Sequence, residues 1–424
     1  MAPGRTGGRG GSVNRAVITG MGVVTPLGND LVAFRDGLLA GKSGIRPLSL
    51  FPAATLPSRI AGESRPSFGG FKDRKILFAL EAAHSALVNA GLDPDGRGQL
   101  PETRRALSLG IGLELFDLDD LIRLNQNAYD IPPEACGQAD FLQTPADWCA
   151  ETLGIRFGLP SPHAIHISAC AAGTDAIGHA FRLIRRGEAS LVLAGGTDSM
   201  LNPMGLAGFC RLGALSTRNH EPERASRPFD LERDGFVLGE GAGMLVIENF
   251  EDAKRRKAPI YAEVVGYGNS FDAFSVSDPH PEGRGALLAM ERALNSAGLS
   301  PADISYVNAH GTATPKNDPV ETMAIRRLLG DKARQVPVSA TKSMIGHLIS
   351  AAGTVETIAA VLCCNSGYVH PTINLENPDP ACDLDYVPGS ARPCEVEYVL
   401  KNSFAFGGQN AVLVVRVGSG VTHA

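Results

Sequence analysis

No stretch of the chain approaches the roughly 18 uninterrupted apolar residues that a membrane-spanning helix needs. The N-terminal MAPGRTGGRGGSVNR is rich in glycine and arginine and has no apolar core, so it does not read as a secretory signal. It is expected to be a disordered leader over residues 1–14. The eight cysteines form no CxxC pair and have the spacing of neither a zinc site nor a disulfide framework. Scattered thiols in a chain of 424 residues imply a reducing compartment, expected to be the cytoplasm. Excess basic charge is missing too. The formal net charge is −6, and nothing points to nucleic-acid binding. Gly235–Gly243 (GFVLGEGAG) is glycine-rich but lacks both the GxGxxG arrangement and the P-loop GK[ST]. It reads as the close-packed start of a strand, with no nucleotide.

What the chain has in abundance is apolar β-branched runs leading through glycine turns into alanine-rich helices. Arg15–Gly20, Ala164–Ser168, Ser190–Gly196, Gly243–Glu248, Pro259–Gly268, Ile304–Ala309, Val336–Ser339 and Ala411–Val417 read as strands. Thr174–Arg186, Glu282–Ala297, Pro319–Leu329 and Gly346–Cys364 read as helices. Such alternation predicts largely parallel sheets covered by helices. The charged connector Asp252–Pro259 divides the chain into similar α/β halves over 15–256 and 257–418, although no internal repeat is obvious in the letters.

Cys170 stands in HISACAAG (166–173), between a short strand and an alanine- and glycine-rich helix. A helix N-terminus lowers a thiol's pKa, and small neighbours leave room for a thioester. On position alone the residue reads equally well as a packed core cysteine. His310 ends a strand in VNAHGTAT (307–314), at the kind of position where α/β folds place chemistry. Thr312 and Thr314 follow at alternate positions and project to one side of an extended loop. His347 shares SATKSMIGHLI (339–349) with Lys342, and Glu356 follows nine residues after His347. A Lys342–Glu356 pair would orient the histidine's surroundings. A metal site is the third option for these histidines, but it would want a further ligand cluster. His84, His163, His166, His179, His220, His280, His370 and His423 read as structural. In NSFAFGGQN (402–410) the loop can aim backbone N–H groups at an oxyanion and swing an aromatic over a pocket. From spacing alone an inward-packed turn is the better reading.

Taken together and in this order, from Arg15 to about Val417, these segments resemble the β-ketoacyl-acyl-carrier-protein synthase family, most of all its synthase II type. The motifs that carry the resemblance are SACAAG, ALSTRN, ASRPFD, RDGFVLGEGAG, NAHGTATPKND, TKSMIGHLISAAGTVE, PTINLENPDPACDLDYVP and NSFAFGG. The resemblance implies a thiolase-like α/β fold, two similar halves in a five-layered αβαβα core. It implies that Cys170 is the acylated nucleophile and that His310 and His347 stabilise the enolate formed as a malonyl unit loses CO₂. Lys342 and Glu356 would support the second histidine. Thr312 and Thr314 would contact the phosphopantetheine arm. The N–H groups of Cys170 and Phe406 would form the oxyanion hole, with Phe406 the gate and Phe404 beside it. The enzyme would need no metal or cofactor of its own, because substrates arrive on the phosphopantetheine of an acyl carrier protein. It would be a homodimer, or a heterodimer with a chain-length-factor-like subunit.

Ala405 replaces the family's usual glycine, and Gln409 its usual threonine. The alanine is expected to stiffen the gate loop. Residues 113–163 follow the family poorly, and Asp147, Trp148 and Glu151 look unusual for a tunnel wall that binds saturated chains. Fatty-acid elongation therefore competes with a type II polyketide ketosynthase, of polyene type, towards which KNDPVET (316–322) and the altered gate lean. A non-catalytic chain-length factor would lack Cys170. A thiolase would carry a second cysteine at the late position, and type III condensing enzymes an asparagine, where this chain has His347.

Overall fold

Ala16–Val24 (β1) is buried at every position, as expected of a strand covered by helices on both faces. The computed structural model describes residues 14–94, 104–116, 141–159, 163–418 and 421. In it, β1 lies at the centre of a ten-stranded sheet. The other strands are β2 (Arg105–Ile111), β3 (His163–His166), β4 (Leu191–Asp198), β5 (Gly241–Asn249), β6 (Ala262–Phe271), β7 (Tyr306–Asn308), β8 (Val338–Ser339), β9 (Tyr398–Phe404) and β10 (Gln409–Arg416). Their order is β8-β7-β9-β10-β6-β1-β5-β4-β2-β3.

Outward from β1, the pairings to β5, β4, β2 and β3 run antiparallel, antiparallel, parallel, parallel. Outward from β6, the pairings to β10, β9, β7 and β8 run the same way. The halves share one thiolase-like topology and meet where Ala16–Ile18 pairs antiparallel with residues 262–264. The expected largely parallel sheet is thus corrected to a mixed one. In each half the last two strands lie between its first and second, and only the very last runs antiparallel to the other four.

The main helices are α1 (Arg74–Asn89), α2 (Ala146–Phe157), α3 (Ala172–Arg185), α4 (Arg284–Ala297), α5 (Asn317–Leu329) and α6 (Ala352–Asn365). Helices α3 and α6 pack against each other between the half-sheets, and α6 is buried except at Leu362 and Asn365. Their contact leaves no room for side chains. A Cβ on Gly173 would lie 2.7 Å from Thr354 Oγ1, and one on Gly353 2.2 Å from Thr174 Oγ1. Helices α1 and α4 cover the outer faces in matching fashion. Gly20 and Gly22 of β1 meet the carbonyls of Ala86 and Ala82, and Gly266 and Gly268 of β6 meet those of Ala293 and Ala289. Both strands also shift register just before the first glycine. A repeat therefore does exist in the letters, as G-x-G at 20–22 and 266–268 and A-A-G-T at 171–174 and 351–354.

Two further expectations change. The strand at Arg15–Gly20 does not turn at its glycine but bulges and runs on to Val24, because Gly20 and Gly22 serve close packing. The helix expected over Gly346–Cys364 begins only at Ala352. Before it, His347 bridges to Leu238 and Ile349–Ala351 makes a single 3₁₀ turn. Residues 1–13 of the leader, Cys136, His423 and, within 113–163, residues 117–140 and 160–162 lie outside the described residues. Asp147, Trp148 and Glu151 are exposed on the face of α2 opposite the buried Cys149, Ala150 and Leu153, so within this chain they line no inner wall. Among the described residues no helix is long and apolar enough to cross a membrane.

Candidate active site

Strand β3 ends at His166, and three residues later Ala169 takes φ +47°, which is costly for a residue with a Cβ. This bend opens the 3₁₀ turn Ala169–Ala171, and α3 starts at Ala172. Ser168 Oγ fixes the bend from below by donating to Asp175 Oδ2 at 2.5 Å. The second half repeats the device. Ile349 has φ +45° ahead of α6, and His347 sits two residues before it. One strained turn thus presents Cys170, and its counterpart carries His347.

The Cys170 side chain is 4% exposed and packs in an apolar cluster with Phe209, Phe236, Ile349 and Phe406. Burial pushes its thiol up to about 11, against the pull of the Lys342 charge and of the N–H groups of Phe406 and Cys170 itself. Burial thus works against the lowering expected from the helix end. Those two N–H groups act on the sulfur, the atom on which an acyl carbonyl would need donors.

His310 follows β7, and α5 holds its loop. The N–H groups of His310 and Gly311 donate to the two oxygens of Glu321, each at 2.8 Å, and the N–H of Thr312 donates to Asp318 Oδ1 at 3.1 Å. Asp318 and Glu321 were not singled out from the sequence. Acids three apart beside a catalytic loop were the available signal. Lys342 Nζ lies 2.5 Å from Glu356 Oε1, 2.7 Å from His310 O and 3.2 Å from His310 Nδ1. The Lys342–Glu356 pair therefore sits against His310 rather than the second histidine, as the resemblance had implied. His347 faces the other way, with its ring 5.3 Å from both Phe236 and His310.

These partners assign the tautomers. His347 Nδ1 accepts from the Ile349 N–H at 3.1 Å, and His310 Nδ1 accepts from the Lys342 ammonium. The proton of each neutral ring is then on Nε2. Burial, followed by the Lys342 charge, holds both rings well below the usual histidine range, so both stay neutral. Each presents an N–H donor. Ligand atoms of Cys170, His310 and His347 lie within 4.8 Å of one another, a spacing that also suits a metal ion. The tautomers argue against one. A metal at either Nε2 would move the proton to Nδ1, against the Ile349 N–H or the Lys342 ammonium.

The three residues open into a cavity of about 320 Å³ that Thr312, Thr314 and Phe406 also line. The two threonine hydroxyls lie 2.9 Å apart, so they share one side of the channel. Phe404 meets the His310 ring edge-on at 6.0 Å, and Phe406 stands 6.4 Å from Phe209. Ala405 lies in extended backbone at φ −117°, where alanine costs nothing, and the loop turns at Gly407 and Gly408, with φ 81° and 77°. The structure thus gives the alanine no strain to impose on the loop. Gln409 opens β10, and its carbonyl accepts from the Ala405 N–H at 2.7 Å. Of the histidines read as structural, the seven among the described residues do not line this cavity. Lys401, also not singled out, is fully buried behind Glu356.

Residues 14–253 match the family model described as β-ketoacyl synthase, N-terminal domain, and residues 261–376 its C-terminal counterpart. The chain is 42% identical over 411 residues to a 3-oxoacyl-[acyl-carrier-protein] synthase 2 of Coxiella burnetii, covering 95% of this chain and 98% of that one. It is similar to a structure of a type II polyketide synthase acyl-carrier protein in complex with its ketosynthase bound to the hexaketide. That match has TM-score 0.84 and 33% identity, over 96% of this chain and 100% of the other. The ishigamide ketosynthase/chain length factor matches with TM-score 0.83 and 34% identity, over the same shares.

Proposed function

The chain belongs to the β-ketoacyl synthase family, and from that premise we propose how its residues divide the reaction. It is an acyltransferase that condenses an enzyme-bound acyl group with malonyl-acyl carrier protein to give a β-ketoacyl-acyl carrier protein. Its substrates arrive on the carrier's phosphopantetheine. The observation that carries the assignment of roles is one buried thiol beside two neutral histidines, each with its N–H free for a developing anion.

Cys170 Sγ attacks the acyl thioester, a new carbon–sulfur bond forms, and the pantetheine sulfur departs with the thiol proton. The N–H groups of Cys170 and Phe406 hold the oxyanion. Malonyl thioester then enters past Phe406 and Phe404, its arm against Thr312 and Thr314. Its carboxylate leaves as CO₂, and the bond's electrons pass into an enolate whose oxygen accepts from the Nε2–H of His310 and of His347. The enolate carbon attacks the acyl carbonyl, and the Cys170 thiolate leaves and takes a proton from solvent. Lys342 and Glu356 keep His310 in the donor tautomer.

Fatty-acid elongation is the first reading of the pathway, supported by the synthase 2 relatives. A polyketide ketosynthase is the second, favoured by the likeness to two polyketide-type structures. A homodimer fits the first and a heterodimer with a chain-length-factor-like subunit the second. Exposed Ile155 and Ile167, near the edge strand β3, support an interface there. Seven described cysteines are all free, which supports a cytoplasmic setting. The test is product formation from malonyl-carrier protein and a panel of saturated, unsaturated and β-keto acyl-carrier proteins. Extension of saturated donors by the chain alone supports elongation. Turnover only of the other donors, or only with a partner subunit, supports the second reading. No product from any donor would refute the assignment.

A further inference from the structure

Glu356 carries two lysines. Its Oε1 lies 2.5 Å from Lys342 Nζ and its Oε2 2.6 Å from Lys401 Nζ, and none of the three side chains is more than 1% exposed. The Lys401 contact is an ion pair outside hydrogen-bond angles. Lys401 instead aims its hydrogens at Asn402 O, 2.5 Å away, and at Ser403 Oγ, 2.7 Å away. Ser403 Oγ meets Thr174 Oγ1 on α3 at 2.8 Å. One ammonium therefore touches the helix that carries Glu356, the strand that leads into Phe404 and Phe406, and, through Ser403, the helix behind Cys170.

The charges make the arrangement costly at rest. Two ammonium groups on one carboxylate leave this cluster with one uncompensated positive charge in a buried site. Glu321, another acid that acts on Lys401, is committed to the N–H groups of His310 and Gly311 and to the Asn402 amide. The reaction supplies the missing negative charge twice, as the Cys170 thiolate and as the enolate oxygen.

We propose that Lys401 is a positioning residue for the condensation, tying the nucleophile helix, the Phe404–Phe406 loop and the Glu356–Lys342 pair into one buried network. The inference rests on the function proposed above. Lys401 also acts on the histidines through its charge. Burial and Lys342 keep them neutral first, and Lys401 pushes in the same direction on each. Removing it makes both easier to protonate. A protonated ring sets an N–H against the Ile349 N–H or the Lys342 ammonium and breaks the contact that orients it.

The test compares Lys401→Met and Lys401→Gln with the unaltered full chain. Glutamine keeps a donor for Asn402 O and Ser403 Oγ without the charge, so it serves if the methionine variant folds poorly. The readouts are CO₂ release from malonyl-carrier protein across pH, its KM, and the NMR titration of the imidazoles. We expect a loss of about tenfold in rate, less than for a direct oxyanion donor, with KM little changed. We also expect the acid limb and both imidazole titrations to move to higher pH. An unchanged pH profile with unchanged imidazoles, whatever happens to thermal stability, would overturn the proposal and leave Lys401 a structural residue. If the unaltered chain releases no CO₂, the proposed function fails, yet the imidazole titrations still decide the role of Lys401.

Discussion

Replacing His347 with alanine should separate the two half-reactions. The His347 ring has one committed nitrogen, Nδ1 on the Ile349 N–H, and one free buried nitrogen, Nε2. The free one is the donor for the enolate. A single oxyanion donor is worth about 2.7–4 kcal/mol, or about 100- to 1000-fold in rate. Acylation of Cys170 uses the backbone N–H groups of Cys170 and Phe406 and should stay within about threefold of normal. The variant also strands the Ile349 N–H, at about 1–3 kcal/mol of stability, so its melting temperature should be followed in parallel. His347→Asn keeps a side-chain donor and should fall between the two. The assay pairs intact-mass detection of acyl-enzyme with CO₂ release from malonyl-carrier protein. Normal CO₂ release, or loss of both half-reactions to the same degree in a folded variant, would refute the division of labour.

Both catalytic histidines are held well below 6.5 by burial, so they stay neutral as pH falls through that value. The rate should show no acid limb centred near the ordinary histidine pKa of about 6.5, and a limb there would contradict the tautomer assignment. Stability should behave differently. Below about 6.5 the unfolded chain binds protons that the buried rings refuse, including His166 and His370, each pushed down to about 4. Urea midpoints should therefore drop between pH 7 and pH 5, and a flat profile would count against it. Glu356→Gln leaves two buried ammonium groups without their carboxylate and should cost about 3–5 kcal/mol in denaturant unfolding, whereas an unshifted midpoint would deny the ion pairs. Gly173→Ala would set a Cβ 2.8 Å from Ser350 O, costing about 1–3 kcal/mol, whereas Gly208→Ala meets nothing within 4 Å and serves as the control. Equal midpoints for the two would refute the packing account.

Cys170, His310 and His347 could be picked out because each stands among small or hydroxyl residues at the end of an apolar run, an odd place for a packed side chain. Their convergence could not, since it depends on two half-sheets meeting across β1 and β6. Strand direction was illegible for a related reason. A strand covered on both faces is apolar throughout, whichever way its neighbours run. Lys342 was paired with the wrong histidine because it shares a loop with His347, whereas the fold carries its long side chain over to His310. Lys401, Asp318 and Glu321 look like surface charges in their segments, and only the backbone N–H groups and the carboxylate they meet explain why they are buried. The internal repeat stayed hidden because only positions with no room for a Cβ need to keep it.

The most direct test of the account is peptide mapping by mass spectrometry after brief exposure of the chain to acyl-carrier protein. The acyl mass should appear on the peptide that contains Cys170 and vanish in Cys170→Ala, which should also lose all condensation. Acyl mass on another cysteine, or condensation retained in that variant, would contradict the central claim that Cys170 carries the growing chain.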